Sequence, residues 1–161
     1  MLKKILTITA IILAVFSNVG LAANVSDEPI KNFVQKYNAI AKEFQILELN
    51  TEIELLMEDS GYKFYATYSA PEISTVMVFV TQDDNNFERL IISSPDPEKS
   101  SMAMICALFT LGFSEDEFKQ LEAEVEKNES TLSIYCAAAN RNFILKRTTD
   151  EGAYEVEISA G

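Results

Sequence analysis

The chain contains no histidine among its 161 residues, and this absence removes several kinds of active site. Ser-His-Asp and Cys-His catalytic sets, HExxH zinc sites and haem held by a proximal histidine each need an imidazole. No GxSxG or SxxK motif provides an activated serine instead. We therefore expect a non-enzymatic protein with no catalytic residues and no cofactor.

Basic residues are also few, at 13 Lys and Arg against 25 Asp and Glu, which gives a formal net charge of -12. A strongly acidic chain repels phosphate backbones, so we predict no nucleic-acid partner. Glycine and proline are scarce, at 5 and 4 residues, while 48% of the chain is hydrophobic. Such a composition and length predict a single globular domain with a core of its own.

The N-terminal segment has the layout of a secretory signal. Lys3 and Lys4 precede an apolar run over residues 5–16, and Gly20 and Ala22 supply small residues at the cleavage positions. The run is shorter than the roughly 20 residues that a membrane-spanning helix needs. We predict a cleavable signal peptide at residues 1–22 and a single exported α+β domain at residues 23–161, with no membrane insertion after cleavage. A retained N-terminal anchor is the alternative. The short basic start indicates a bacterial source and a periplasmic or secreted location.

The two cysteines, Cys106 and Cys136, both fall in the predicted exported part. Export permits oxidation, so we predict a disulfide between them. Such a bond would close a loop of about 30 residues and stabilise the fold by about 3.7 kcal/mol in the chain-entropy model. Two unlinked buried thiols are the alternative.

Hydrophobic periodicity gives the order of elements. The spacing predicts an amphipathic helix over about residues 28–45, and then alternating strands with turns between them. Asp96 and Pro97 open a second, apolar helix, and a capping box from Ser114 to Glu117 opens a third. We predict an α+β fold in an approximate αβββ(β)-ααβββ order. Its antiparallel sheet should have about six to seven strands, with helices packed mainly on one face.

The third predicted helix is the most acidic segment of the chain. As a weak candidate for partner binding we take its carboxylates, which are Glu115, Asp116, Glu117, Glu122, Glu124 and Glu126. Complementary charge speeds encounter with a basic partner and disfavours wrong partners. A solvated helix face, with acids favourably placed at the helix N-terminus, is the alternative interpretation.

Two other acidic groups receive simpler interpretations. Residues 83–86, Asp-Asp-Asn-Asn, carry four side-chain oxygens, but the EF-hand spacing fails, so we predict a hairpin turn and no metal site. Glu48, Glu52 and Glu54 would line one face of an edge-type strand. Paired carboxylates can act as acid and base, but charged edge strands ordinarily serve to prevent aggregation.

These observations favour a small exported acidic protein that binds another protein, as an inhibitor, an immunity protein or an accessory factor of the cell envelope. The expected partner is a basic envelope or secreted protein. The alternative is an extracytoplasmic carrier of a small apolar or cationic ligand, which would need a pocket of roughly 300 Å³ or more.

Overall fold

A computed structural model describes residues 29–82, 87–125, 131–136, 141–148 and 153–160 of the chain. The predicted signal peptide and the predicted turn at residues 83–86 lie outside these ranges.

The first helix, α1 (Pro29–Glu43), is amphipathic as its spacing predicts. Its buried residues are Phe33, Val34, Tyr37, Ile40 and Ala41, which recur every three or four positions and so lie on one helix face. Asn38 of the same helix makes two hydrogen bonds to the backbone of Leu49, each of 2.7 Å. Its Nδ2 donates to the Leu49 carbonyl, and its Oδ1 accepts from the Leu49 amide. These two bonds fix the chain that follows α1 against the helix.

The segment after α1 forms two short strands, β1 (Glu48–Leu49) and β2 (Glu54–Asp59), and both pair with the same edge of β3 (Tyr62–Ala70). The sequence pattern predicts one strand here. The pairing with β3 is interrupted between Asn50 and Glu54. The amide of Asn50 still donates to the carbonyl of Tyr68, at 2.8 Å. Between β2 and β3 the chain turns through Ser60 and Gly61, both with positive φ, as a tight two-residue hairpin requires.

The remaining elements follow in chain order. They are β4 (Val76–Thr81), β5 (Arg89–Ser93), α2 (Pro97–Thr110), α3 (Glu115–Val125), β6 (Thr131–Cys136), β7 (Arg141–Thr148) and β8 (Ala153–Ala160). At the start of α2, the Asp96 side chain accepts from the amides of Glu98 and Lys99, at 2.9 and 3.4 Å. This N-cap, with Pro97 as the first helical residue, confirms the predicted helix start.

All strand pairings are antiparallel, and the order across the sheet is β1-β3-β4-β5-β8-β7-β6, with β2 beside β3. The pairing of β5 with β8 joins the two halves of the chain into one sheet. The mixture of helices and antiparallel sheet confirms the α+β class. The predicted strand count and order need correction: the described residues form eight strands, and five of these lie between α1 and α2, because the predicted first strand is split.

One core cluster contains residues of α1, α2, α3 and most strands. Its sheet members occupy alternate positions, for example Met77 and Phe79 in β4 and Leu90 and Ile92 in β5. Phe79 also contacts Phe33 of α1 edge to face, with ring centroids 5.3 Å apart. The core therefore ties the first helix directly to the middle of the sheet.

The predicted disulfide is not formed in this structure. Cys106 and Cys136 are both free thiols, and both are buried. The two sulfur atoms face different parts of the backbone. Cys106 Sγ in α2 lies 3.7 Å from the carbonyl oxygen of Tyr37 in α1, whereas Cys136 Sγ at the end of β6 lies 3.5 Å from that of Gly112. The structure thus agrees with the alternative of two unlinked thiols.

Candidate functional site

Three adjacent exposed apolar residues lie on β2, at the edge of the sheet. All six residues of this strand are exposed, and Leu55, Leu56 and Met57 retain 50%, 49% and 51% of their accessible surface. Within the described ranges, β2 pairs with β3 alone. The outer side of β2 is therefore an open sheet edge that carries three adjacent large apolar residues, and we call Glu54–Asp59 the β2 edge.

A β-bulge explains why three adjacent apolar residues are all exposed. Leu55 pairs with Tyr65 and Met57 pairs with the adjacent Phe64. Leu56 is therefore the extra residue of the bulge and has no paired residue on β3. Paired residues in a sheet lie on the same face, so Leu55 lies on the face of Tyr65, which packs against the core, and Met57 lies on the opposite face. The apolar group thus extends over both faces of the edge.

Carboxylates surround this apolar group. Glu54 precedes it and Glu58 and Asp59 follow it, all three exposed, while no Lys or Arg occurs between Lys42 and Lys63. The predicted strand acids Glu48 and Glu52 belong to the same stretch and are exposed. The arrangement combines exposed apolar side chains, an open backbone edge and negative charge. It is suited to contact with another polypeptide.

The acidic helix α3 is a weaker candidate than its sequence indicates. Glu117 is buried, with 6% of its surface exposed, and its Oε2 accepts from the amide of Ser114 at 2.5 Å and from the Ser114 hydroxyl. This is the capping-box geometry, in which the glutamate stabilises the helix start. Glu117 is thereby occupied within the fold.

The other members of the predicted partner-binding set differ in what the structure shows of them. Asp116 is exposed, and its Oδ1 lies 3.9 Å from Nζ of Lys119. Glu115, Glu122 and Glu124 belong to α3, but their side chains lie outside the described part of the molecule, as does the whole of Glu126. Asp116 is thus the exposed acid of this set that the structure places.

A cross-strand charge cluster lies elsewhere on the sheet. Nζ of Lys146 on β7 donates to Glu157 Oε1 on β8 at 2.6 Å, and Arg89 on β5 approaches the same oxygen at 3.5 Å. The hydrogen bond from Lys146 lowers the pKa of the Glu157 carboxyl; slight burial opposes this, while the charges of Lys146 and Arg89 add to it. The cluster joins three neighbouring strands and has a structural role.

The buried pair of Tyr37 and Cys106 is unsuited to nucleophilic chemistry. Burial raises the pKa of the Cys106 thiol, and its hydrogen bond to Tyr37 offsets this only in part. Burial and the neighbouring Cys106 likewise raise the pKa of Tyr37 well above its ordinary value. A thiol that remains protonated is a poor nucleophile and a poor metal ligand.

A small cavity within the described part of the core bears on the carrier alternative. Its volume is about 10 Å³, and its lining is apolar: Leu108, Phe113, Leu121, Ile134, Phe143 and Leu145. That is room for about one water-sized sphere, far below the roughly 300 Å³ of a typical ligand pocket. This cavity gives the carrier hypothesis no support.

The described residues contain no group of three His, Cys, Asp or Glu side chains placed to hold a metal ion. None of their helices combines the length and the apolar character that crossing a bilayer requires.

Comparison of the chain with protein-family models, with curated proteins and with solved structures found no match in any of the three. The interpretation of the β2 edge therefore depends on its own geometry. The sequence does carry a signal for this site, because Leu55-Leu56-Met57 breaks the alternation that precedes it. The alternating pattern predicts a half-buried strand and overlooks the break.

Proposed function

We propose that this is a small exported, non-enzymatic protein that binds another protein, as an inhibitor, an immunity protein or an accessory factor of the cell envelope. The observation that carries the proposal is the exposure of Leu55, Leu56 and Met57 on the β2 edge. Export is proposed from the signal-like residues 1–22, and the partner is proposed to be a basic envelope or secreted protein.

The apolar surface that these side chains still expose determines the free energy that a partner gains by covering it. Each is about half exposed, and complete burial of a Leu or Met side chain is worth roughly 1.5–3 kcal/mol. Covering the remaining half of all three would therefore contribute roughly 3 kcal/mol to an association. Grouped apolar exposure of this kind is typical of an interaction surface, whereas scattered single residues are ordinary.

The proposed open edge is compatible with a further proposal about the helices. We propose that they lie mainly on one face of the sheet, since the core residues of β4 and β5 occupy alternate positions and share a cluster with α1, α2 and α3. In that arrangement, the helices cover one face and leave the β2 edge open to a partner.

An affinity-capture experiment tests this proposal. The full gene product, expressed with its own leader and purified as the host processes it, is the bait against envelope and secreted extracts at low and at high salt. A second bait carries Leu55→Ser and Met57→Ser. A third carries Ile73→Ser, the matched control, because Ile73 is also a large apolar residue, 78% exposed, but lies outside the β2 edge.

We expect the wild type and Ile73→Ser to retain the same basic protein at low salt and the double variant to lose it. High salt should weaken retention, because exposed charges are screened. Equal retention by all three baits would contradict the role of the β2 edge. Absence of any retained protein would contradict protein binding itself.

A further inference from the structure

The geometry points to the way in which a partner is held: the β2 edge accepts an extended segment of the partner as an additional strand. That segment carries Lys or Arg on either side of apolar side chains. This inference rests on the proposed function and gives it a binding mode and a partner chemistry.

Strand addition follows from the distribution of the apolar residues over both faces. Leu55 lies on the core side of the sheet and Met57 on the other, so a partner on either face alone would leave one of them exposed. A strand added to the edge presents side chains on both faces alternately and can cover both. Main-chain hydrogen bonds then supply affinity along the strand.

The backbone of β2 has groups available for such pairing. In a two-residue hairpin, the pair that closes the turn is hydrogen-bonded, and here that pair is Asp59 and Tyr62. Because the pattern alternates, the next pair, Glu58 and Lys63, is not bonded through the backbone. We therefore expect the amide and carbonyl of Glu58 to point toward the open edge.

Charge decides between a second copy of this chain and a basic partner. Suppose that the β2 edges of two copies paired antiparallel, with Leu56 opposite Leu56. Glu54 of each copy would then lie opposite Glu58 of the other, which gives two pairs of like charges. In a parallel, in-register pairing, each glutamate would face its own counterpart. Like charges directly opposite each other destabilise a strand pair, whereas Lys or Arg at those positions would form favourable pairs. The bulge at Leu56 further hinders self-pairing.

Synthetic peptides test the inference with the full gene product described above. The first is a fluorescent Thr-Lys-Val-Val-Val-Lys-Thr peptide, whose Val side chains alternate between the two faces and whose two Lys have the spacing of Glu54 and Glu58. In the second, Glu replaces each Lys. In the third, Pro replaces the first and third Val, which prevents strand formation. Binding is measured by fluorescence anisotropy at low salt for the wild type, for Glu54→Lys with Glu58→Lys, and for Glu98→Lys, which reverses an exposed charge on α2. The last of these controls for a general change of charge away from the β2 edge.

We expect the first peptide to bind and the other two to bind at least tenfold more weakly. Charge reversal on the β2 edge should weaken the first peptide about tenfold, from the loss of two exposed charge pairs and the repulsion that replaces them. Glu98→Lys should change binding less than threefold. If the proline peptide bound as tightly as the first peptide, strand addition would be overturned. If the acidic peptide bound as tightly as the first, or if the charge-reversed variant bound the first as tightly as the wild type does, the inference of a basic partner segment would be overturned.

Failure of this inference can be distinguished from failure of the proposed function. If a captured protein depends on Leu55 and Met57 but none of the peptides binds, the β2 edge docks a partner without strand addition. That result overturns the inference and leaves the proposed function standing. If neither peptide nor protein binds, both are overturned, and the acids and the bulge of β2 only protect an exposed edge from self-association.

Discussion

Replacing Glu117 with alanine should destabilise the fold, although the residue belongs to a helix that looks like an acidic surface. Its Oε2 accepts from the amide and from the hydroxyl of Ser114, and only 6% of the residue is exposed. Loss of a helix cap costs roughly 0.5–2 kcal/mol, and hydrogen bonds to a charged group are worth roughly 1.5–3 kcal/mol. Removing the carboxylate also removes the cost of burying it, which offsets part of this loss. We therefore expect the free energy of unfolding to fall by about 2 kcal/mol.

Two variants make that experiment specific. Asp116→Ala removes a neighbouring acid that is exposed and paired with Lys119 only at 3.9 Å, so it should cost less than about 0.5 kcal/mol. Glu117→Gln keeps an acceptor that suits a capping box and should retain much of the stability.

The assay is thermal and urea unfolding followed by circular dichroism, with the three variants and the wild type compared at one pH. A loss of about 2 kcal/mol corresponds to a fall in Tm of about 5 °C for a domain of this size. If Glu117→Ala unfolded at the same urea concentration and temperature as Asp116→Ala, Glu117 would not cap α3. A loss of partner binding in Glu117→Ala should not be attributed to the interface unless its stability is measured as well.

Three further predictions concern pH, the cysteines and the core. Since the pKa of Glu157 is lowered in the folded protein, its contribution to stability is present above the unfolded value near 4.5 and is lost as the pH falls through the folded value. Urea titrations from pH 7 to pH 3 should therefore show the gap between wild type and Glu157→Gln closing at acid pH, and a gap that widened would contradict the pairing with Lys146. Ellman's reagent should detect two thiols after unfolding without reductant and almost none before it, because Cys106 and Cys136 are free and buried; no thiols after unfolding would mean a disulfide. Phe79→Ala should cost about 3–5 kcal/mol in urea unfolding, because the ring is fully buried, and a cost below about 1 kcal/mol would contradict its place in the core.

Local sequence signals predict the helices well, because they depend on neighbouring residues. The spacing of Phe33, Val34 and Tyr37 specifies the buried face of α1, and Asp96 with Pro97 specifies the start of α2. The α+β class follows from these elements and from the strand alternation.

The division of the first predicted strand depends on pairing with β3, which lies farther along the chain. The residues between Asn50 and Glu54 and the bulge at Leu56 change the register twice. A periodicity count over the segment alone cannot show the first change, because it depends on the pairing with β3. The second change coincides with the break in alternation at Leu55-Leu56-Met57.

The cysteines and Glu117 illustrate two different limits. An even cysteine count in a predicted exported chain indicates that a disulfide is possible, but the directions of Cys106 and Cys136 depend on tertiary packing. For Glu117, the capping box is visible in the sequence and already predicts a structural role. A count of surface charge alone overlooks that local motif.

Amide hydrogen exchange of the protein, alone and bound to the protein it captures, tests the central claim most directly. If the partner adds a strand to the β2 edge, amides within residues 54–59 should exchange more slowly in the complex, with Glu58 among the most protected and α3 unchanged. Unchanged exchange across β2, with new protection on α3, would contradict the account and assign the interface to the acidic helix.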